Sequence, residues 1–244
     1  MSAPSKILFS LEGVRALYEY GLGHLLNANL VSNSPKGDGH HVLIFPGLCT
    51  NDSSTAFIRS FLNELGYKTH PWGLGRNLGP RGGMDKLLEQ ISARVHEVVA
   101  QANGEQISII GWSLGGIYGR EIAKLFPTMI RQVITLGTPF KGSPEENTSL
   151  SSLYEMLCKD TSHKNPDIMK RISTPPPVPF TSIYSKSDGV VHWQSSIENE
   201  GPYIENIEVS NASHLGLGHN PASVAVIADR LSQKKETWVP YKKK

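Results

Sequence analysis

The sequence predicts an α/β fold with a mostly parallel six-stranded sheet, helices on both faces and a small helical insertion. Three observations carry this. From Gly39 onward, short β-branched runs alternate with longer amphipathic stretches, the pattern of successive βα units feeding a parallel sheet. The run His41 to Phe45 (HVLIF) is continuously apolar up to Pro46-Gly47, as a strand buried on both faces should be. The 244 residues fit one large α/β domain or two small ones, and 39% hydrophobic and 19% charged residues with a net charge of +2 are ordinary for a globular protein and give no reason to expect a nucleic-acid partner.

The elements follow in order. Leu11 to Leu30 reads as an extra leading helix with Leu11, Val14, Ala16, Leu17 and Leu25 as its apolar positions, and Asn33 to Gly39 is a polar linker. After the HVLIF strand, Phe57, Ile58, Phe61, Leu62 and Leu65 mark a helix stopped by Gly66, and Tyr67 to Trp72 a second strand. Leu87, Leu88, Ile91, Val95, Val98 and Val99 fall three and four apart, predicting a helix from Met84 that ends near Asn103-Gly104. Ile107 to Ile110 is a strand, Gly115 to Phe126 a helix stopped by Pro127, and Gln132 to Leu136 a strand. Thr181 to Tyr184 and Ile204 to Val209 complete six strands, and Pro221 to Leu231 is the last helix, with proline in its first turn. The period breaks down over residues 141–179. That segment holds two short helical candidates, Ser151 to Cys158 and Asp167 to Ile172, before a proline cluster, and so long a connection inside a domain reads as a lid. The organisation is therefore one domain, residues 1–244, with 141–179 as a lid insertion.

The chemistry centres on Gly111-Trp112-Ser113-Leu114-Gly115, a G-x-S-x-G pattern lying between a strand and a helix. A sharp strand-to-helix turn presents the serine hydroxyl above the sheet, the glycines leave room for helix and strand to approach, and the helix N-terminus offers N–H groups to an oxyanion. A serine hydroxyl is a weak nucleophile and needs a histidine base with a carboxylate to orient it, both downstream and each just after a later strand. Asp188, in Ser187-Asp188-Gly189, and His214, in Ala212-Ser213-His214, stand in those places. Asp188 could equally be an Asp-Gly turn residue. His219 competes with His214, but it adjoins Asn220-Pro221 at the start of the last helix, where capping or a supporting role is the plainer account. The backbone N–H groups of Leu48, after Pro46-Gly47, and Leu114 are the expected oxyanion hole.

These residues resemble the α/β-hydrolases, and among them bacterial lipases, esterases and related deacylases. The resemblance runs from Gly39 to Gln233 and rests on Ile44-Phe45-Pro46-Gly47, Trp72 to Asn77, Gly111 to Gly116, Thr135 to Phe140 with Gly142-Ser143, Ser187 to Val191 and Ser213-His214. It implies the α/β-hydrolase fold and hydrolysis of a small-molecule acyl ester through an acyl-enzyme, without a redox cofactor. Pro46-Gly47 stands where lipases often have His-Gly, and the leading helix replaces two antiparallel strands, a reduced version of the fold. An acyltransferase or amidase would use the same three residues, and a non-catalytic binding protein on this fold would need none of them.

The Trp72 to Gly83 loop lacks G-K-[ST] and misses the dinucleotide glycine spacing, so it is expected to border the acyl pocket, with Arg76 and Asn77 structural. Cys49 is expected to be a small buried residue. The nine histidines show no H-E-x-x-H, so no metal is expected. His192 and Trp193 are expected to pack their loop. No segment approaches a transmembrane span. The apolar stretch after Lys6 is broken by Glu12, Arg15 and Glu19 before it reaches the length of a signal sequence, and two cysteines form no disulfide framework. A cytoplasmic compartment is the expectation. The terminal lysines 242 to 244 read as a solvated tail.

Overall fold

Six strands form one all-parallel sheet in the computed structural model, which describes residues 4–142 and 166–242. The chain runs α1 (Lys6–Asn33), β1 (His41–Phe45), α2 (Ala56–Glu64), β2 (Lys68–Pro71), α3 (Met84–Gln101), β3 (Ile107–Trp112), α4 (Leu114–Leu125), β4 (Ile130–Leu136), α5 (Pro166–Ser173), β5 (Phe180–Tyr184), β6 (Ile204–Glu208) and α6 (Pro221–Ser232). The spatial order is β2-β1-β3-β4-β5-β6. The chain thus steps out to β2, crosses back over β1 to β3, and then moves steadily the other way. A reversal of this kind opens a crevice at the carboxyl ends of β1 and β3, where open α/β sheets bind their ligands.

Strand periodicity divides the core in two. Leu43, Phe45, Ile107 and Ile109 pack with the apolar stripes of α3 and α4 on one face of the sheet. Val42, Ile44, Ile110 and Ile134 pack with α2 and α6 on the other. Because successive side chains point to opposite faces, strands covered on both sides must be apolar throughout, which is why β1 reads as an unbroken run. The two edge strands, β2 and β6, are the ones that carry mostly exposed or half-buried residues. The α4 face is tied to the β6 end of the sheet by Arg120, whose guanidinium meets Glu198 at 2.7 Å with both side chains fully buried, and stacks 3.8 Å over Phe140.

The predicted elements that fall within the described residues are present, and most ends fall within a few residues of expectation. The exception in kind is α1. It runs five residues further at its start and three at its end than the periodic stretch, and it is turned inside out. Val14, Leu17 and Leu25, read as its apolar positions, are 71%, 73% and 79% exposed, whereas Glu12, Glu19 and Gly23 are the buried residues. Apolar periodicity locates a helix, but it assigns the inner face only if burial of apolar surface is what docks that helix. Here hydrogen bonds to two carboxylates do so. None of the helices among the described residues is long and apolar enough to cross a membrane. Of the expected lid, the helix near Asp167 to Ile172 is α5, and the candidate at Ser151 to Cys158 lies outside the described residues.

Candidate active site

Ser113 follows the last residue of β3 and caps α4, with φ 54° and ψ −122°. A non-glycine residue with positive φ is strained, and it persists here because its surroundings leave no alternative. Its N–H donates to Leu136 O at 2.8 Å, and its carbonyl accepts the Thr138 hydroxyl at 2.9 Å. The flanking glycines are required by close approach. A Cβ on Gly111 would lie 2.3 Å from Gly116 Cα, and one on Gly115 would lie 2.6 Å from Phe45 O.

Asp188 lies in the loop after β5 and His214 in the loop after β6, and the parallel sheet delivers both to the same edge as Ser113. His214 Nδ1 is 2.7 Å from Asp188 Oδ2, and His214 Nε2 is 2.9 Å from Ser113 Oγ. A carboxylate can only accept, so Nδ1 carries the proton and Nε2 is left to accept from the serine hydroxyl. The other Asp188 oxygen accepts the N–H groups of Val190 and Val191 at 2.8 and 2.7 Å. The aspartate is therefore both a turn residue and the histidine's partner, one oxygen for each. Burial opposes charge on the His214 ring, but the charge and hydrogen bond of Asp188, then the charge of Glu12, outweigh it and raise the imidazole above its ordinary value.

Beside the serine, Leu48 and Leu114 line a largely apolar cavity of about 230 Å³ together with Ile117, Met169, Ile172 and Leu215. A Cβ on Gly47 would lie 3.4 Å from the Ser113 side chain, so the turn that carries Leu48 sits beside the serine. Asn77, expected to be structural, is what holds this loop. Asn77 is buried, donates its side-chain amide to Pro46 O at 2.9 Å, and exchanges backbone bonds with the loop: Cys49 N–H to Asn77 O and Asn77 N–H to Thr50 O, at 2.7 and 2.8 Å. The Tyr118 hydroxyl donates to its side-chain oxygen at 3.2 Å. No spacing rule reveals such a clamp; the only signal is an asparagine among glycines in a loop.

Three minor expectations are corrected. No residue from 72 to 83 lines the cavity, because that loop supports the Pro46 to Thr50 turn from behind instead of bordering the pocket. Cys49 is exposed with φ 62°, since the turn places its side chain outward. His219, expected only to cap or support, lines the cavity with its ring edge-on to Trp112, and the capping falls to Asn220, whose side chain accepts from Ala222 and Ser223 N–H. Burial is the main influence on His219 and pushes it down to about 4, so it is neutral at pH 7. His192 and Trp193 do pack their loop, with Trp193 stacked on Tyr184. Among the described residues no group of three or more His, Cys, Asp or Glu is placed to hold a metal.

The all-parallel sheet, the strand–serine–helix turn and the downstream loops that supply Asp188 and His214 define the α/β-hydrolase fold. Solved structures agree: a monoacylglycerol lipase of Paleococcus ferrophilus superposes with TM-score 0.58 at 16% identity, covering 81% of this chain and 95% of that one. An α/β superfamily hydrolase of Oenococcus oeni gives 0.58 at 16% over 82% and 94%, and an α/β serine hydrolase without lid from Xanthomonas campestris gives 0.54 at 14% over 86% and 88%. Residues 83–216 match the uncharacterised protein family UPF0227, and the chain belongs to that family. Triacylglycerol lipases of Pseudarthrobacter phenanthrenivorans and Burkholderia plantarii are 37% identical over 65 residues, 27% of this chain. That stretch spans only 19% and 17% of those lipases.

Proposed function

We propose that this protein is a serine hydrolase of carboxylic esters, with Ser113 as nucleophile, His214 as general base and acid, and Asp188 as the group that orients and charges the histidine. The observation that carries it is the unbroken chain of hydrogen bonds from Asp188 through His214 to a strained, elbow-borne serine facing an apolar cavity. Nε2 takes the serine proton as Oγ attacks the acyl carbonyl. The N–H groups of Leu48 and Leu114 receive the oxyanion, the alcohol leaves with the proton from His214, and water activated by the same imidazole releases the acid. The reaction needs no redox cofactor. The apolar lining favours an acyl group over a charged one, and the triacylglycerol lipases that share part of the sequence are consistent with a lipid-like ester. We further propose that the 141–179 insertion acts as a lid, since α5, within its described part, contributes Met169 and Ile172 to the cavity wall.

Hydrolysis of a p-nitrophenyl ester series from acetyl to long-chain acyl, wild type against Ser113→Ala, tests the reading. Removing the nucleophile of a triad lowers kcat by on the order of 10⁶. Equal activity in the two proteins would exclude Ser113 as the nucleophile.

A further inference from the structure

The two buried glutamates of α1 both end on the loops that carry Asp188 and His214. Glu12 Oε1 accepts the backbone N–H of Gly189 at 2.8 Å and that of His214 at 3.1 Å, and its Oε2 accepts from Leu215 N–H at 3.0 Å. One carboxylate thus bridges two loops that leave different strands, at the residue after Asp188 and at His214 itself. Two helical turns on, and so on the same face, Glu19 accepts from the N–H of Ser213 at 3.1 Å, from the Ser213 hydroxyl, and from the Asn220 amide at 2.8 Å. Between them Arg15 donates to Ser187 O at 2.7 Å and lies 3.6 Å from Glu12.

The helix backbone sits directly on these loops. A Cβ on Gly189 would lie 2.5 Å from the Leu8 carbonyl carbon, and one on Gly23 would lie 2.3 Å from His219 O. A helix docked for stability alone turns its apolar stripe inward. This helix turns the stripe outward and buries carboxylates, which is costly unless each finds hydrogen-bond donors. The donors it finds are the backbone of the acid and base loops.

We propose that Glu12 is a positioning residue of the hydrolase: its carboxylate ties the Asp188 loop to the His214 loop and so holds the imidazole in line between Asp188 and Ser113. The inference rests on the hydrolase reading above. The charged groups facing His214 are Asp188 from the loop after β5 and Glu12 from α1, with Arg15 behind Glu12 and Glu19 on the neighbouring Ser213. Glu12→Gln presents an amide donor to backbone donors and removes a negative charge that favours the charged ring.

The test compares ester hydrolysis by the full chain carrying Glu12→Gln, Glu12→Asp, Leu30→Ala or Ser113→Ala. Leu30 packs against the core at the far end of α1, so its truncation loosens the same helix without touching the carboxylates. Glu12→Gln is expected to lower kcat by about 10²-fold, as a small misplacement of a catalytic group does, with KM little changed and the acidic limb of the kcat/KM profile moved to lower pH. Glu12→Asp recovers part of kcat, and Leu30→Ala lowers Tm but keeps the wild-type kcat and limb. Wild-type kcat and pH limb in folded Glu12→Gln would overturn the proposal, and so would a loss that Leu30→Ala reproduces at equal Tm. Activity that Ser113→Ala leaves intact, or none in the wild type, sinks the hydrolase reading instead. The low-field NMR signal of the His214 Nδ1 proton then decides: Glu12→Gln must shift or abolish it, and an unchanged signal overturns the positioning role.

Discussion

The strand β3 has a Ser–His–Asp set at each end. Beyond its carboxyl end, Ser113, His214 and Asp188 are linked at 2.9 and 2.7 Å. Near its start, Ser108 Oγ lies 2.8 Å from His40 Nε2, and His40 Nδ1 lies 2.5 Å from Asp38 Oδ1. By residue type and distance the two sets are nearly the same, so neither criterion separates a reactive serine from a structural one. The backbone and surroundings of the two serines differ. Ser108 is fully buried within the β3 ladder opposite Val42 and Gln132, with no positive φ and no helix N-terminus behind it. His40 borders a different cavity, of about 460 Å³, which Ser108 does not line.

The charges also run in opposite directions. Burial is the largest influence on His40 and, with Arg131 nearby, holds it below its ordinary value despite Asp38. Arg131 meets Asp38 at 2.7 Å and so draws on the carboxylate that would otherwise serve the histidine alone. At His214 the carboxylates Asp188 and Glu12 prevail over burial. A site at the crevice carries spare negative charge for an imidazolium, and a site in the core has that charge already neutralised.

The sharpest way to break the comparison is to exchange each serine for alanine. Ser113→Ala should lower kcat by on the order of 10⁶. Ser108→Ala should leave kcat as it was and lower stability by about 1–3 kcal/mol, because His40 Nε2 loses its buried partner; denaturant unfolding beside ester kinetics reads both. Asp188→Asn comes next, with an expected loss of about 10⁴ in kcat, since an amide partner selects the wrong tautomer. Asn77→Ala should cost up to about 10² in kcat and lower stability by about 1–3 kcal/mol, by releasing the Pro46 to Thr50 turn and with it the Leu48 N–H and by leaving Pro46 O and the Tyr118 hydroxyl without their buried partner. A KM effect with kcat intact would instead place Asn77 in substrate binding.

The pH dependence sharpens the contrast further. In the proposed mechanism His214 must be neutral to act as base, so kcat/KM should fall as pH drops through a value above 6.5, and the limb should move down in Asp188→Asn. The stability term has the opposite sign. A raised folded-state value favours the folded protein below 6.5, and that contribution is lost as pH rises through the raised value. The smallest effect belongs to the other set: Asp38→Asn should cost under about 1 kcal/mol, because that carboxylate is partly exposed, and should leave the activity profile untouched.

Much of this was legible in the sequence. The turn at Gly111 to Gly115 announces itself because tight packing there leaves only glycine, and a parallel sheet must bring the loops after β5 and β6 to the same edge as Ser113. What escaped are contacts between segments distant in sequence. Glu12 and Asn77 act by offering oxygens or an amide to backbone groups of other loops, which leaves no periodicity to read. The same limit hid Ser108, His40 and Asp38, which form no motif and meet only because β1 and β3 are neighbours.

The most direct test of the central claim is to map the residue that a fluorophosphonate labels in the folded protein by peptide mass spectrometry. The account predicts a single adduct on Ser113 that His214→Ala abolishes. An adduct on any other serine, or a folded wild-type protein that takes up no label, would contradict it.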